Sequence, residues 1–263
     1  MYPFRLGTTS YILPDDILPN VRYLAGRVRD IELVLFEVDD GPSNLPSASV
    51  IRELNAISRD HDMSYTVHLP LDLRLGDDGD EQHVSLIKAR KVIDCTCALD
   101  PWAYVVHLDG REVHGAHDAA RFDAWAERCV RALELVGAWA GGIERLAVEN
   151  LDTYPPEHIT PVLEKIAVSR CVDIGHLWLE SHDLADFLPT WLPRTRVIHA
   201  HGIAERDHKS LAHVPEAELD SVLNMLLQAD YRGVVTVEVF GEEDFDTSMA
   251  AIERSRRRIC QRG

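Results

Sequence analysis

The sequence predicts a (β/α)8, or TIM, barrel, and three observations predict it. Eight strand-like runs alternate strictly with helical stretches, a pattern that argues for a parallel sheet with helical crossovers. The runs are nearly continuous in Val, Ile and Leu, as strands covered on both faces require. The 263 residues, 46% of them hydrophobic, match a barrel folded as one domain, here expected to span residues 1–263.

Phe4 to Ser10 reads as the first strand. Asp15 and Asp16 open a helix with Ile17, Val21, Leu24 and Val28 on one face. Ile31 to Glu37 is the second strand, and Ser47 starts a helix to about His61 with Val50, Leu54 and Ile57 apolar. Met63 to His68 is the third strand, followed by a helix from Gln82 to Ala98. Ala103 to His107 is the fourth. The next helix carries Phe122, Trp125, Cys129, Leu133 and Val136 at helical spacing. Arg145 to Glu149 is the fifth strand, with a helix from Pro155 to Val168. Cys171 to His176 is the sixth, followed by a short helix from Leu184 to Leu192. Arg196 to His199 is the seventh; Leu219, Val222, Leu223 and Leu226 mark its helix. Val234 to Glu238 is the eighth, and a last helix carries Arg256, Arg257 and Arg258 toward its C-terminus, where cations are favoured. An open doubly wound sheet would show a glycine-rich phosphate loop after the first strand, and Gly7-Thr8-Thr9-Ser10 is not one.

Composition narrows the function. A net charge of −17, from 44 acidic against 27 basic residues, opposes binding to a polyanion, so no nucleic-acid partner is expected. No apolar stretch approaches the ~20 residues of a membrane helix. The N-terminus runs into strand-like sequence without the charged region and apolar block of a secretory leader. The five cysteines are odd in number and scattered, which fits a reducing cytoplasm; Cys95 and Cys97 fall in the third helix and are expected to be buried.

Chemistry in a barrel gathers at the C-terminal ends of its strands. Those ends carry Glu37, His68, His107, Glu149, Asp173 with His176, His199 with His201, and Glu238, with Asp207 and His208 just after the seventh strand. Singly, a histidine on a strand or a glutamate at its end is usually a hydrogen-bonded or paired residue. Six consecutive strands each ending in a ligand-type side chain favour a metal site. Mixed imidazole and carboxylate donors suit zinc, manganese or iron better than magnesium or calcium. His114, His117, His158, His182 and His213 read as ordinary loop and helix residues, and Asp72, Asp77, Asp78 and Asp80 as a solvated loop.

At these positions the chain resembles the xylose-isomerase-like barrel superfamily, which includes sugar isomerases, sugar epimerases and the endonuclease IV type of DNA-repair enzyme. The resemblance implies a shared metal core of Glu149, Asp173, His199 and Glu238, with Asp173 and His176 forming its D-x-x-H. The endonuclease branch adds His68 and His107, which with Glu149 would hold one metal while Glu149 bridges to the core. His176, Asp207 and His208 would hold a third, although the branch has D-x-H where this chain has Asp207 directly before His208. Two or three divalent ions, zinc or manganese, are therefore expected.

Within the superfamily, Leu6 to Tyr11, Ile17 to Val21, Glu32 to Glu37 and His199-Ala200-His201-Gly202 resemble the cobamide-remodelling phosphodiesterases. That resemblance implies hydrolysis of the nucleotide-loop phosphodiester of an adenosylcobamide to adenosylcobinamide phosphate, with a small molecule as the partner. The catalytic group is then Glu149 as metal bridge, with Glu238 and His201 orienting water or the leaving oxygen. Arg206 and Lys209 are candidate phosphate contacts, though a solvated surface suits both. The alternative is a sugar isomerase or epimerase using one metal, with Glu149 and Glu238 as its acid/base pair. An abasic-site endonuclease fits the acidic composition poorly, and a non-catalytic corrinoid-binding barrel requires an incomplete ligand set.

Overall fold

All eight predicted strands are present, in the computed structural model that describes residues 2–36, 43–76, 78–115, 118–152 and 154–262. They close into a parallel barrel in chain order: β1 (Arg5–Thr9), β2 (Asp30–Val34), β3 (Ser64–His68), β4 (Tyr104–Val106), β5 (Leu146–Glu149), β6 (Ser169–Asp173), β7 (Thr195–Ala200) and β8 (Val234–Val237). Closure pairs β1 with β8, Leu6 opposite Val235, and leaves no sheet edge. No helix among the described residues is long and apolar enough to cross a membrane.

The helices begin and end where local chemistry directs. α1 (Ile17–Leu24) buries Ile17, Val21 and Leu24. α2 (Ala48–His61) starts where the Ser47 hydroxyl accepts from the Val50 amide at 3.3 Å. α3 (Val84–Thr96) follows, and α4 (Ala119–Ala140) runs from an Asp118 cap to Gly141, whose φ of +83° ends it. The remaining helices are α5 (Thr160–Lys165), α6 (Ile174–Leu179), α7 (Leu184–Trp191), α8 (Glu216–Gln228) and α9 (Glu242–Arg262).

Two apolar clusters hold the barrel. The larger joins the outer strand faces to the helices through residues such as Val21, Leu33, Leu54, Leu86 and Leu133. The smaller contains Val105, Ala147, Cys171 and Val197. Side chains alternate along a strand, so these four share a face with His107, Glu149, Asp173 and His199 two residues on. They form a floor beneath the barrel mouth.

Several expected boundaries move. The run from Cys171 to His176 is not all strand: the Asp173 carboxylate accepts from the His176 amide at 2.8 Å, so the chain turns into α6 at once. Gly175 and His176 therefore lie on the first turn of a helix. The helix expected over 155–168 shortens to α5, whose first turn holds Pro161: inside a longer helix that residue would remove a backbone hydrogen bond and clash with the preceding turn. β2 ends at Val34, and Glu37, like Asp77 and His117, lies outside the described residues. Cys95 is only half-buried and Cys97 is exposed, against the burial expected of both.

Candidate metal centre

Among the described residues the strand ends bring three groups of imidazole and carboxylate donors together. His68, His107 and Glu149 form one; Glu149, Asp173, His199 and Glu238 form a second; His176, His201 and His208 form a third. Within each, one ligand atom per residue lies within 4.8 Å of all the others. Glu149 belongs to two groups: its Oε2 is 3.0 Å from His107 Nε2 and 3.4 Å from His68 Nε2, while its Oε1 is 3.1 Å from His199 Nδ1. The same His199 nitrogen lies 3.1 Å from Glu238 Oε2, and His208 Nε2 lies 3.5 Å from that oxygen.

The ring nitrogens turned away from the centre are anchored. His68 Nδ1 donates to the Leu69 carbonyl at 2.8 Å, and His107 Nδ1 faces the Asp72 carboxylate at 3.2 Å. His176 Nδ1 donates to the Asn150 carbonyl at 3.1 Å. His199 Nε2 donates to Glu32 at 2.8 Å, with both side chains fully buried. Such outer partners fix the tautomer and leave the inward nitrogen free for a cation. Asn150 also brackets the end of β6, accepting from the Asp173 amide at 3.0 Å and donating to its carbonyl at 2.9 Å. Gly175 is required by close approach: a Cβ there would lie 2.3 Å from the His201 ring.

The charge state fits a cation. Burial opposes ionisation of Glu149, yet His199 and His107 outweigh it and hold its carboxyl well below the usual range. Burial likewise opposes Glu238, which His199 and His208 hold well below that range. Against burial, Glu149 and Asp72 raise His107 to about 10, and Glu238 raises His208 to about 9. Asp173 Oδ2, His201 Nε2 and Glu238 Oε2 are buried without a hydrogen-bond partner among the described residues, although each has an ionic neighbour. Buried polar atoms at van der Waals range but out of hydrogen-bonding geometry are what ligands of a shared cation present. The residues present therefore fit divalent metal. Cys171 also approaches Glu149 and His199, but burial pushes its thiol up and keeps the proton on, making it a poor ligand.

The predicted set converges, with two rearrangements. His201, expected to orient water, stacks on His208 with centroids 4.3 Å apart and joins the third group. Asp207, expected as a ligand, is not in that group; its carboxylate faces His208 Nδ1 at 3.2 Å. His208 takes φ +52°, which turns consecutive side chains apart. Arg206 is exposed, and Lys209 pairs with Asp244 at 3.0 Å and Glu205 at 3.3 Å. Sequence reasoning passed over Glu32, Asn150 and the role of Asp72. Glu32 had a signal: an acid inside the apolar run Ile31 to Phe36, with no exposed face to occupy.

A family model described as the xylose isomerase-like TIM barrel matches residues 27–261. No curated protein matches the chain by sequence. Among solved structures, a D-tagatose 3-epimerase-like protein is similar at 17% identity and a TM-score of 0.73, covering 98% of this chain and 99% of its own. Endonuclease IV from Thermus thermophilus is similar at 15% identity and a TM-score of 0.70, covering 97% and 99%. A 3-keto-D-glucoside 4-epimerase from E. coli is similar at 18% identity and a TM-score of 0.66, again covering 97% and 99%. At these identities the likeness is one of fold. The closed eight-stranded barrel and the extent of the family match agree: the chain belongs to the xylose isomerase-like TIM barrel family.

Proposed function

We propose that the barrel mouth hydrolyses a phosphodiester with two or three divalent cations, zinc or manganese. The observation that carries this reading is the sharing of Glu149 between two donor groups, one through each carboxylate oxygen. Paired cations supply charge neutralisation for the diester, a lowered pKa for water and stabilisation of the departing oxygen. His68, His107 and Glu149 would hold one ion; Glu149, Asp173, His199 and Glu238 a second; His176, His201 and His208 a third, with Asp207 supporting His208. Glu149 sets the spacing of the first two positions. Glu238, whose Oε2 has no hydrogen-bond partner among the described residues, orients the water or the leaving oxygen. The resemblance of residues 6–11 and 199–202 to cobamide-remodelling phosphodiesterases supports an adenosylcobamide as the diester.

A second reading has the epimerases among the similar structures behind it, and these comparisons favour it over the cobamide assignment. In it a single cation sits in the Glu149, Asp173, His199 and Glu238 group, and the two glutamates act as acid and base on a ketose. Metal analysis and product chromatography separate the two. Two or more ions per chain with release of adenosylcobinamide phosphate supports the hydrolase. One ion per chain with epimerisation of a ketose, and intact adenosylcobamide, overturns it.

A further inference from the structure

Large apolar side chains are unevenly exposed. Among the described residues seven are substantially exposed, and four of them, Tyr11, Phe36, Leu71 and Phe240, follow the C-terminal ends of β1, β2, β3 and β8. These strands are consecutive around the barrel, so the four occupy one arc of the mouth. Tyr11 packs edge-on against Phe36 with centroids 6.2 Å apart, and Phe240 lies 5.5 Å from the His208 ring. Phe36, Leu71 and Phe240 line one cavity of about 270 Å³ with His68, His107 and Glu238. No lysine or arginine lines it among the described residues. Apolar rings left in water at the edge of a polar cluster mark a surface that something covers, and the shared cavity identifies the cover as the molecule that reaches the metal ligands.

We infer that Tyr11, Phe36, Leu71 and Phe240 form a subsite for a broad, flat apolar substituent carried on the diester. The inference rests on the phosphodiesterase reading and deepens it. Among the described residues the cavity offers no lysine or arginine for the rest of the substrate, so affinity beyond the phosphate comes from burial against this wall. The wall selects for the non-reacting part of the molecule and acts mainly on binding.

The test uses metal-loaded protein and two diesters with one leaving group, methyl 4-nitrophenyl phosphate and 2-naphthyl 4-nitrophenyl phosphate. The naphthyl diester is expected to show a KM at least tenfold lower, with kcat little changed. Phe36→Ala and Phe240→Ala are expected to shrink that preference to threefold or less, whereas Ile87→Ala, an exposed residue on α3, keeps it. A parallel calorimetric titration compares methyl 2-naphthyl phosphate with dimethyl phosphate. Equal affinity for the two, or a preference that survives both phenylalanine replacements, overturns the subsite. Preferential binding of the naphthyl diester without turnover of either nitrophenyl diester retains the subsite and defeats the hydrolase reading instead.

Discussion

His199 donates from Nε2 to the Glu32 carboxylate at 2.8 Å, and this bond decides which nitrogen the ring offers to the mouth. With Nε2 committed beneath, Nδ1 faces Glu149 and Glu238, each 3.1 Å away. Glu32→Leu is expected to weaken zinc or manganese binding about 10–100-fold, the usual cost of losing an outer-shell partner. Equilibrium dialysis with metal analysis measures it. Unchanged affinity would show that the ring is held by packing alone.

Glu149→Gln removes the carboxylate that two donor groups share. The expected result is loss of at least one ion per chain and near-complete loss of hydrolysis, read by metal analysis and product chromatography. Retention of full stoichiometry and activity contradicts the bridging role.

Metal binding should release protons. His107, raised to about 10, and His208, raised to about 9, both carry a proton at pH 7.5 in the metal-free protein. A cation must displace those protons to reach the nitrogens. Calorimetry in buffers of different ionisation enthalpy is expected to give about one proton or more per ion. Buffer-independent heats would show that the imidazoles are already neutral in the metal-free protein.

Asp30 tests the far end of the lumen. Its carboxyl is fully buried, accepts from the Ser64 hydroxyl at 2.5 Å, and has an Oδ1 with no hydrogen-bond partner among the described residues. Burial raises it from 3.8 to about 6. Because the folded value is the higher one, its contribution to stability is present below about pH 4 and lost as pH rises through about 6. Asp30→Asn should therefore stabilise the protein at pH 7.5, by on the order of 3 kcal/mol, and have little effect near pH 4. Urea unfolding at the two values checks it, and an equal effect at both removes the ionisation argument.

The barrel was legible because its signal is periodic and repeated. Eight apolar runs carry the same message, so the misplaced end of β2 and the overlong reading of α5 do not change the topology. The ligands were legible for a related reason, since strand ends converge by geometry in a closed barrel. What stayed hidden depends on dihedral angles and on partners distant in sequence. Glu32 and His199 are 167 positions apart, and nothing local ties them. That His201 and not Asp207 joins His176 and His208 depends on the turn of the backbone at His208, which a sequence pattern does not record. Asp72 looked like a solvated loop residue because its partner, His107, comes from another strand.

The contact between Gly175 and His201 couples two pieces of the molecule that are usually treated as separately editable. The helix start after β6 and the exit of β7 share one van der Waals surface with no room for a methyl group. Grafting either loop from a relative without the other would tilt a histidine by moving the scaffold under it. Engineers who wish to retune this mouth should exchange residues 173–176 and 199–208 as one cassette.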